Sequence, residues 1–287
     1  LLSVDGYLLA FSRIVQYQSI VFLMTILAAW CSYVWYRGSD SKLLGLAALF
    51  VAVGTLAHYE AILVAPFAAW LFWNRARSED WPLRRWLRQA LAPILLFAIT
   101  AGVFYIPYLR HPSFSRTAQY ITGQRIGSSL LYNNLEDFFA LATFYNSTYY
   151  ILFLSLCVIA LILYRLRTAL RSPFWTVTIQ EAFTVGLMVA VLAPQALVIG
   201  QLNLALLPFA IPLVILIISP RVTTELRALL LWFGFLFLIA MFLMRKPKTH
   251  VYAMFPAWAM LAGVTLSDAG AAIGWNAKRS LWTARLR

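Results

Sequence analysis

The sequence predicts an all-α fold: a polytopic integral membrane helical bundle of about nine spans, with the N-terminus outside and the C-terminus inside. Three observations predict it. Hydrophobic residues make up 62% of the chain and charged residues 11%, at a mean hydropathy of +0.78, which is too apolar for a single soluble core. The apolar residues fall into runs separated by short polar turns. The basic residues collect at alternate ends of those runs, as expected if Lys and Arg stay on the cytoplasmic side. The net charge of +13 raises nucleic acid as a partner, but these residues are scattered between spans and line no single face, so topology accounts for them.

Residues 1–13 carry Asp5, Ser12 and Arg13 ahead of a first span, 14–36, which ends in Trp35 and Tyr36 before Arg37 and runs inward. The chain is organised around 54–66, where His58, Tyr59 and Glu60 interrupt an apolar run from 43 to 73. As one helix that run would be roughly 45 Å long, against a hydrocarbon core of about 30 Å. Arg37 and Lys42 precede it, and Arg75, Arg77, Arg84, Arg85 and Arg88 follow it. Basic flanks at both ends favour a hairpin of 43–57 and 61–73 with its polar tip outside. One long tilted helix is the alternative, because no Gly or Pro stands at the tip.

The basic loop 74–88, broken by Pro82, suits a cytoplasmic interfacial segment. Span 90–109 returns outward. Residues 110–143 form the one long external loop, in which Arg116, Tyr120, Arg125, Glu136 and Asp137 mixed with apolar residues predict a surface helix or two. Span 144–164 runs inward to Arg165, Arg167 and Arg171. Span 182–199 goes out, Gly200 to Asn203 turn, and 204–219 returns with Pro208 and Pro212 kinking it against its neighbours. The last pair, 228–244 and 251–266, is joined by Arg245, Lys246, Pro247, Lys248, Thr249 and His250 and followed by a basic tail. Of the 23 Lys and Arg residues, this topology leaves only Arg13, Arg110, Arg116, Arg125, Arg245, Lys246 and Lys248 outside.

Cys31 and Cys157 lie within spans and read as small buried apolar side chains. The chain opens on Leu1 with no visible signal peptide, and 1–287 reads as one transmembrane domain forming the C-terminal portion of a longer protein. There is no phosphate loop, nucleophile elbow or zinc-ligand spacing. Asn146-Ser147-Thr148 fits a glycosylation pattern, but at the mouth of a span it reads as chance.

Arg245, Lys246 and Lys248 crowd into the last external turn against the orientation rule. One explanation is capping of an outward-running helix, whose C-terminal dipole favours cations by roughly 0.3 to 1 kcal/mol each. The other is a bound anion, and a lipid-linked phosphate is the anion at hand at the outer interface. Lys246, Lys248 and His250 would neutralise it and Tyr252 would hydrogen-bond it. His58 and Glu60 are either a wetted tip or an imidazole and a carboxylate at a cavity rim, able to bind a hydroxylated substrate or orient a phosphate. Asp5 and Arg13 complete the candidate substrate-binding set, with a plain surface pair as the alternative.

Three motifs carry a resemblance. Ser12-Arg13-Ile14-Val15-Gln16-Tyr17 opens a span, Gly54-Thr55-Leu56-Ala57-His58-Tyr59-Glu60 closes a short apolar helix, and Lys246-Pro247-Lys248-Thr249-His250-Val251-Tyr252 precedes Phe255-Pro256-Ala257-Trp258. Together they resemble polytopic GT-C glycosyltransferases, the bacterial relatives of dolichyl-phosphate-mannose protein mannosyltransferases and aminoarabinose transferases. The resemblance implies a multi-pass cell-membrane enzyme that moves a sugar from a polyprenyl-phosphate donor to an acceptor hydroxyl, on a protein or a glycan, on the extracytoplasmic side. It implies a catalytic acid in a first external loop, which here would lie upstream of Leu1, and basic residues on the donor phosphate, which map onto Lys246, Lys248 and His250. It implies no certain cofactor, although a divalent metal is compatible with such a site. A transporter or flippase of lipid-linked saccharides, with the Pro208 and Pro212 helix as its moving part, is the alternative; a non-catalytic scaffold subunit is a third.

Overall fold

The computed structural model describes residues 1, 6, 17–38, 40–135, 137–144, 146–200 and 202–272, with the backbone but not the side chain of Thr249. Asp5, Arg13 and Glu136 lie outside the described residues, as does the basic tail.

Among the described residues the chain forms eleven α-helices: α1 (Tyr17–Arg37), α2 (Lys42–Ala57), α3 (Ala65–Ser78), α4 (Leu83–Arg110), α5 (Phe114–Tyr120), α6 (Phe138–Ala142), α7 (Thr148–Ala169), α8 (Pro173–Leu192), α9 (Leu207–Ile218), α10 (Thr224–Leu238) and α11 (Phe255–Ala272). The only sheet among them is a two-residue ladder, Val198–Ile199 against Leu202–Asn203, which closes the turn after α8. The fold is therefore all-α, as the apolar periodicity predicts.

Five helices are long and apolar enough to cross a bilayer: α1, α4, α7, α8 and α10 with its continuation to Leu243. The expectation of about nine spans is met only in part. α2, α3, α9 and α11 occupy the other four expected stretches but fall short in length or in apolar content. The expected start of the sixth span also moves, since α8 begins at Pro173 and ends at Leu192, not 182–199. The Ser172 hydroxyl accepts from the Trp175 N–H and Pro173 occupies the first turn, a start signal that outweighs the charge of Glu181.

α1 sets the frame for the hairpin. Its C-terminal end meets the end of α3, where Arg75 donates to the Trp35 carbonyl and the Trp35 and Phe72 rings stack at 5.6 Å. At the other end the Tyr17 ring stacks on His58 at 4.4 Å. α2 and α3 are thus the two arms of a hairpin with its tip at His58, and no single helix runs from 43 to 73. Small residues allow close packing of α1 on α2: Ala28, Ala29, Ala47 and Ala52 are all buried. The Ser32 and Thr25 hydroxyls donate to carbonyls of their own helix, which satisfies them away from water.

The core lies on α10 and α11. Trp232, Phe233, Phe242, Phe255 and Trp258 are buried together, and the Trp258 indole donates to the Leu154 carbonyl at 3.0 Å to fix α11 on α7. Gly186 faces Pro208 so closely that a Cβ there would overlap the proline ring, which is how α8 approaches α9. α4 packs along α2, where the Tyr105 hydroxyl donates to the Thr55 carbonyl at 2.7 Å. Its exposed Leu91, Ile94, Ile99 and Val103 make the surface a helix needs in hydrocarbon. Cys31 and Cys157 are both buried and unbridged.

The expected external loop holds α5, a π-helical turn (Ile121–Ile126), an extended strap and α6. Asn146 is buried, its side-chain oxygen accepting from the Gly6 N–H, and Ser147 caps α7.

Candidate functional site

α2 ends because His58 adopts an extended conformation, φ −164° and ψ 139°, while its N–H still donates to the Gly54 carbonyl. A short 3-10 turn (Tyr59–Val64) follows before α3. Gly54 makes this compact, since a Cβ there would meet Ala61 Cβ at 2.7 Å and Met24 Cβ at 2.9 Å. The turn draws Glu60 inward, leaving it 9% exposed, while Tyr59 keeps 44% of its surface.

Glu60 is the centre of the site. Its Oε1 is bonded to Nδ1 of His250, on the 3-10 segment Lys248–Met254 that joins α10 to α11. Its Oε2 lies 3.5 Å from Nδ1 of His58, which also accepts from the Glu60 N–H at 3.5 Å. A nitrogen that accepts carries no proton, so the His58 contact is not an ion pair. Burial agrees: it holds the His58 imidazole below the usual histidine range, with His250 and Arg125 adding to the effect and Glu60 opposing it. Burial, then Glu60, pushes the Tyr59 phenol up to about 12. The His58 and His250 rings are 5.8 Å apart, and Tyr59 lies 6.1 Å from His250.

The cationic turn is built from outside. Asn134, on the strap before α6, is buried and its side-chain amide donates to the carbonyls of Ala240 (3.1 Å), Met241 (3.2 Å) and Met244 (2.6 Å). It satisfies the open end of α10, where a π turn (Ile239–Leu243) replaces regular helix. The backbone of Tyr132 and Asn134 pairs with Phe242 and Met241 beside it. Arg125 then clasps the turn: its carbonyl accepts from the Arg245 and Lys246 N–H groups, and its guanidinium donates to the Lys246 carbonyl at 3.3 Å. Arg245, Lys246 and Lys248 remain exposed, and among the described residues none of them pairs with a carboxylate. Lys248 has φ +46°, a left-handed conformation that a non-glycine residue holds only under constraint.

The structure thus brings together His58, Glu60 and His250, with Lys246 and Lys248 on the same turn. Tyr252 departs from its expected role as a phosphate ligand. It is 1% exposed and its hydroxyl donates to the Leu141 carbonyl at 2.9 Å, because the 3-10 turn points it at α6 and into the core. Arg125, Asn134 and Tyr17 are members that local sequence reasoning missed. Only Arg125 left a signal there, as one of few basic residues in the expected external loop.

An apolar cleft of about 360 Å³ opens between α7, α8, α9 and α10. Leu135, Phe138 and Met254 form part of its wall, which places it next to the strap and the 3-10 segment that build the site.

Neither a protein-family model, nor a curated protein, nor a solved structure matches this chain. The site must therefore be judged by its chemistry. Among the described residues no group of three or more His, Cys, Asp or Glu side chains is arranged to hold a metal ion. What the arrangement offers is a carboxylate-bound imidazole beside a neutral imidazole, with cations for an anion on the turn that carries His250.

Proposed function

We propose that this chain is the membrane core of a glycosyltransferase that moves a sugar from a polyprenyl-phosphate donor to an acceptor hydroxyl on the extracytoplasmic side. The Glu60–His250 bond carries this reading, because it joins the polar hairpin tip to the one turn whose basic residues break the orientation rule. In this reading the tip and the turn face outward, the N-terminus is outside and the C-terminus inside.

The chemistry follows from charge. The acceptor oxygen bonds to the anomeric carbon, the bond from that carbon to the phosphate oxygen breaks, and the electron pair leaves on the phosphate. Lys246, Lys248 and Arg125 stabilise that departing charge in a site partly shielded from water. With Glu60 accepting the Nδ1–H, the imidazolium form of His250 offers its Nε2–H to the phosphate. The acceptor proton must pass to a general base, a step worth typically 10² to 10⁴ in rate. The neighbouring apolar cleft suits the isoprenoid chain of the donor.

The test is sugar transfer by membranes holding the whole native protein. Lys248→Ala and His250→Ala abolish transfer while the protein stays inserted and folded. Full activity in both variants would sink the assignment. Uptake of a lipid-linked saccharide across vesicles without transfer would favour the transporter.

A further inference from the structure

The end of α3 remote from Glu60 carries a second constellation, roughly 25 Å away along the helix. The last carbonyls of α3 are met by the turn that follows: the Glu79 N–H donates to Arg75, the Asp80 N–H to Arg77 and the Trp81 N–H to Ala76 at 3.0 Å. The bond from Trp81 to Ala76 belongs to a helix stop that needs one left-handed residue, and Asp80 fills that place with φ +45°. Glycine takes this conformation without strain, whereas a residue with a Cβ is disfavoured in it. Aspartate is one of the few other residues that enter it, and here it sets the Asp80 carboxylate on the turn.

Trp73, Ala76, Arg77, Asp80, Trp81 and Trp86 line a cleft of about 330 Å³ at this turn. Its neighbour Glu79 is fully engaged, with Oε1 accepting from Arg75 Nε and Oε2 from the Trp81 indole and Arg85, each at 2.8 Å. These bonds, that from Trp81 first, hold the Glu79 carboxyl below the usual range, and they fix the Trp81 ring, over which Arg85 sits at 4.4 Å. Asp80 and Arg77 are different. Among the described residues neither joins an ion pair, and Arg77 lies over the Trp73 ring at 5.9 Å.

The cleft is therefore lined by one carboxylate, one guanidinium and three indole rings, of which Trp81 already carries Arg85 and Trp73 carries Arg77. A guanidinium suits a phosphate, and a carboxylate beside indole faces suits an ammonium group. A wholly anionic ligand would meet repulsion from Asp80. Trp and Arg at the end of membrane helices place the cleft at headgroup depth. We infer that the cleft is a binding site for a phospholipid headgroup bearing an ammonium group, its phosphate on Arg77 and its ammonium against Asp80 among the indole rings.

The test is native mass spectrometry of the full chain after equilibration with mixed phosphatidylethanolamine and phosphatidylglycerol. Wild type retains phosphatidylethanolamine over phosphatidylglycerol by about fivefold, the scale of one exposed ion pair plus one cation–π contact. Asp80→Gly removes that preference while the melting temperature holds or rises, because glycine relieves the left-handed strain. Arg77→Ala weakens retention of both lipids. Equal retention by wild type, a preference that survives Asp80→Gly, or a preference for phosphatidylglycerol would each overturn the inference.

Discussion

The Glu60 carboxylate and the His250 imidazole are bonded across 190 residues of sequence, and that bond fixes the cationic turn against the hairpin tip. The two side chains are 10% and 11% exposed, so neither can be removed without leaving its partner buried and unpaired. Glu60→Gln and His250→Ala are expected to lose transfer by about 10² or more. The double variant is expected to lose little beyond the worse single one, with a coupling of about 0.5 to 3 kcal/mol in a double-mutant cycle on activity. Additive losses would mean that the pair does not act as a unit.

Lys248 separates charge from backbone. Lys248→Gly relaxes the left-handed conformation and removes the cation, so thermal stability in detergent should hold while transfer is lost. Retained transfer would show that the turn is needed only for its shape.

Gly54 is where the tip is closest to its neighbours. A Gly54→Val substitution pushes a branched side chain into Ala61 and Met24, and overpacking of that kind costs about 1 to 3 kcal/mol. The expected result is a lower melting temperature together with weaker activity. Gly45 is the control, because nothing lies within 4 Å of a Cβ there.

Acid should loosen the tip through His58. Burial holds its imidazole below the ordinary value of 6.5, so on acidification the unfolded chain takes up the proton first. The stabilising contribution of the neutral ring is fully present above about pH 6.5 and is lost as pH falls from there through the folded value. Melting temperature should therefore fall with acidification, and His58→Phe, which keeps a ring for Tyr17 to stack on, should flatten that fall. An unchanged slope would remove His58 from the account.

Asn134 positions the cationic turn without touching a ligand. Asn134→Leu removes the side-chain donor of the Ala240 and Met244 carbonyls, while the Asn134 N–H stays on Met241, and should cost about 1 to 3 kcal/mol. Asn134→Gln should restore part of the stability, and the Michaelis constant for the donor should rise in Asn134→Leu more than in Asn134→Gln. Equal kinetics in the two would limit Asn134 to folding.

The helices were legible because a bilayer demands long apolar runs, and such runs are local. All nine expected stretches hold helix, and the break at His58 follows from three polar residues in a row. The sixth span was expected from 182, whereas the Ser172-Pro173 cap starts α8 earlier. The cationic turn was visible as a violation of the charge rule. Its supports were not: Arg125 and Asn134 reach it from more than 100 residues away, and nothing local marks an Asn as the cap of a distant helix. Tyr252 was expected on a phosphate, but the 3-10 turn that carries it aims its hydroxyl at α6.

The most direct test of the central claim is equilibrium binding of a polyprenyl phosphate to the purified whole protein, compared with a Lys248→Ala variant of unchanged melting temperature and a His250→Gln variant, whose amide can still donate to Glu60. The account predicts that wild type binds it and that each variant binds at least about tenfold more weakly, the loss expected for one charge-assisted hydrogen bond. Equal binding by all three would contradict it.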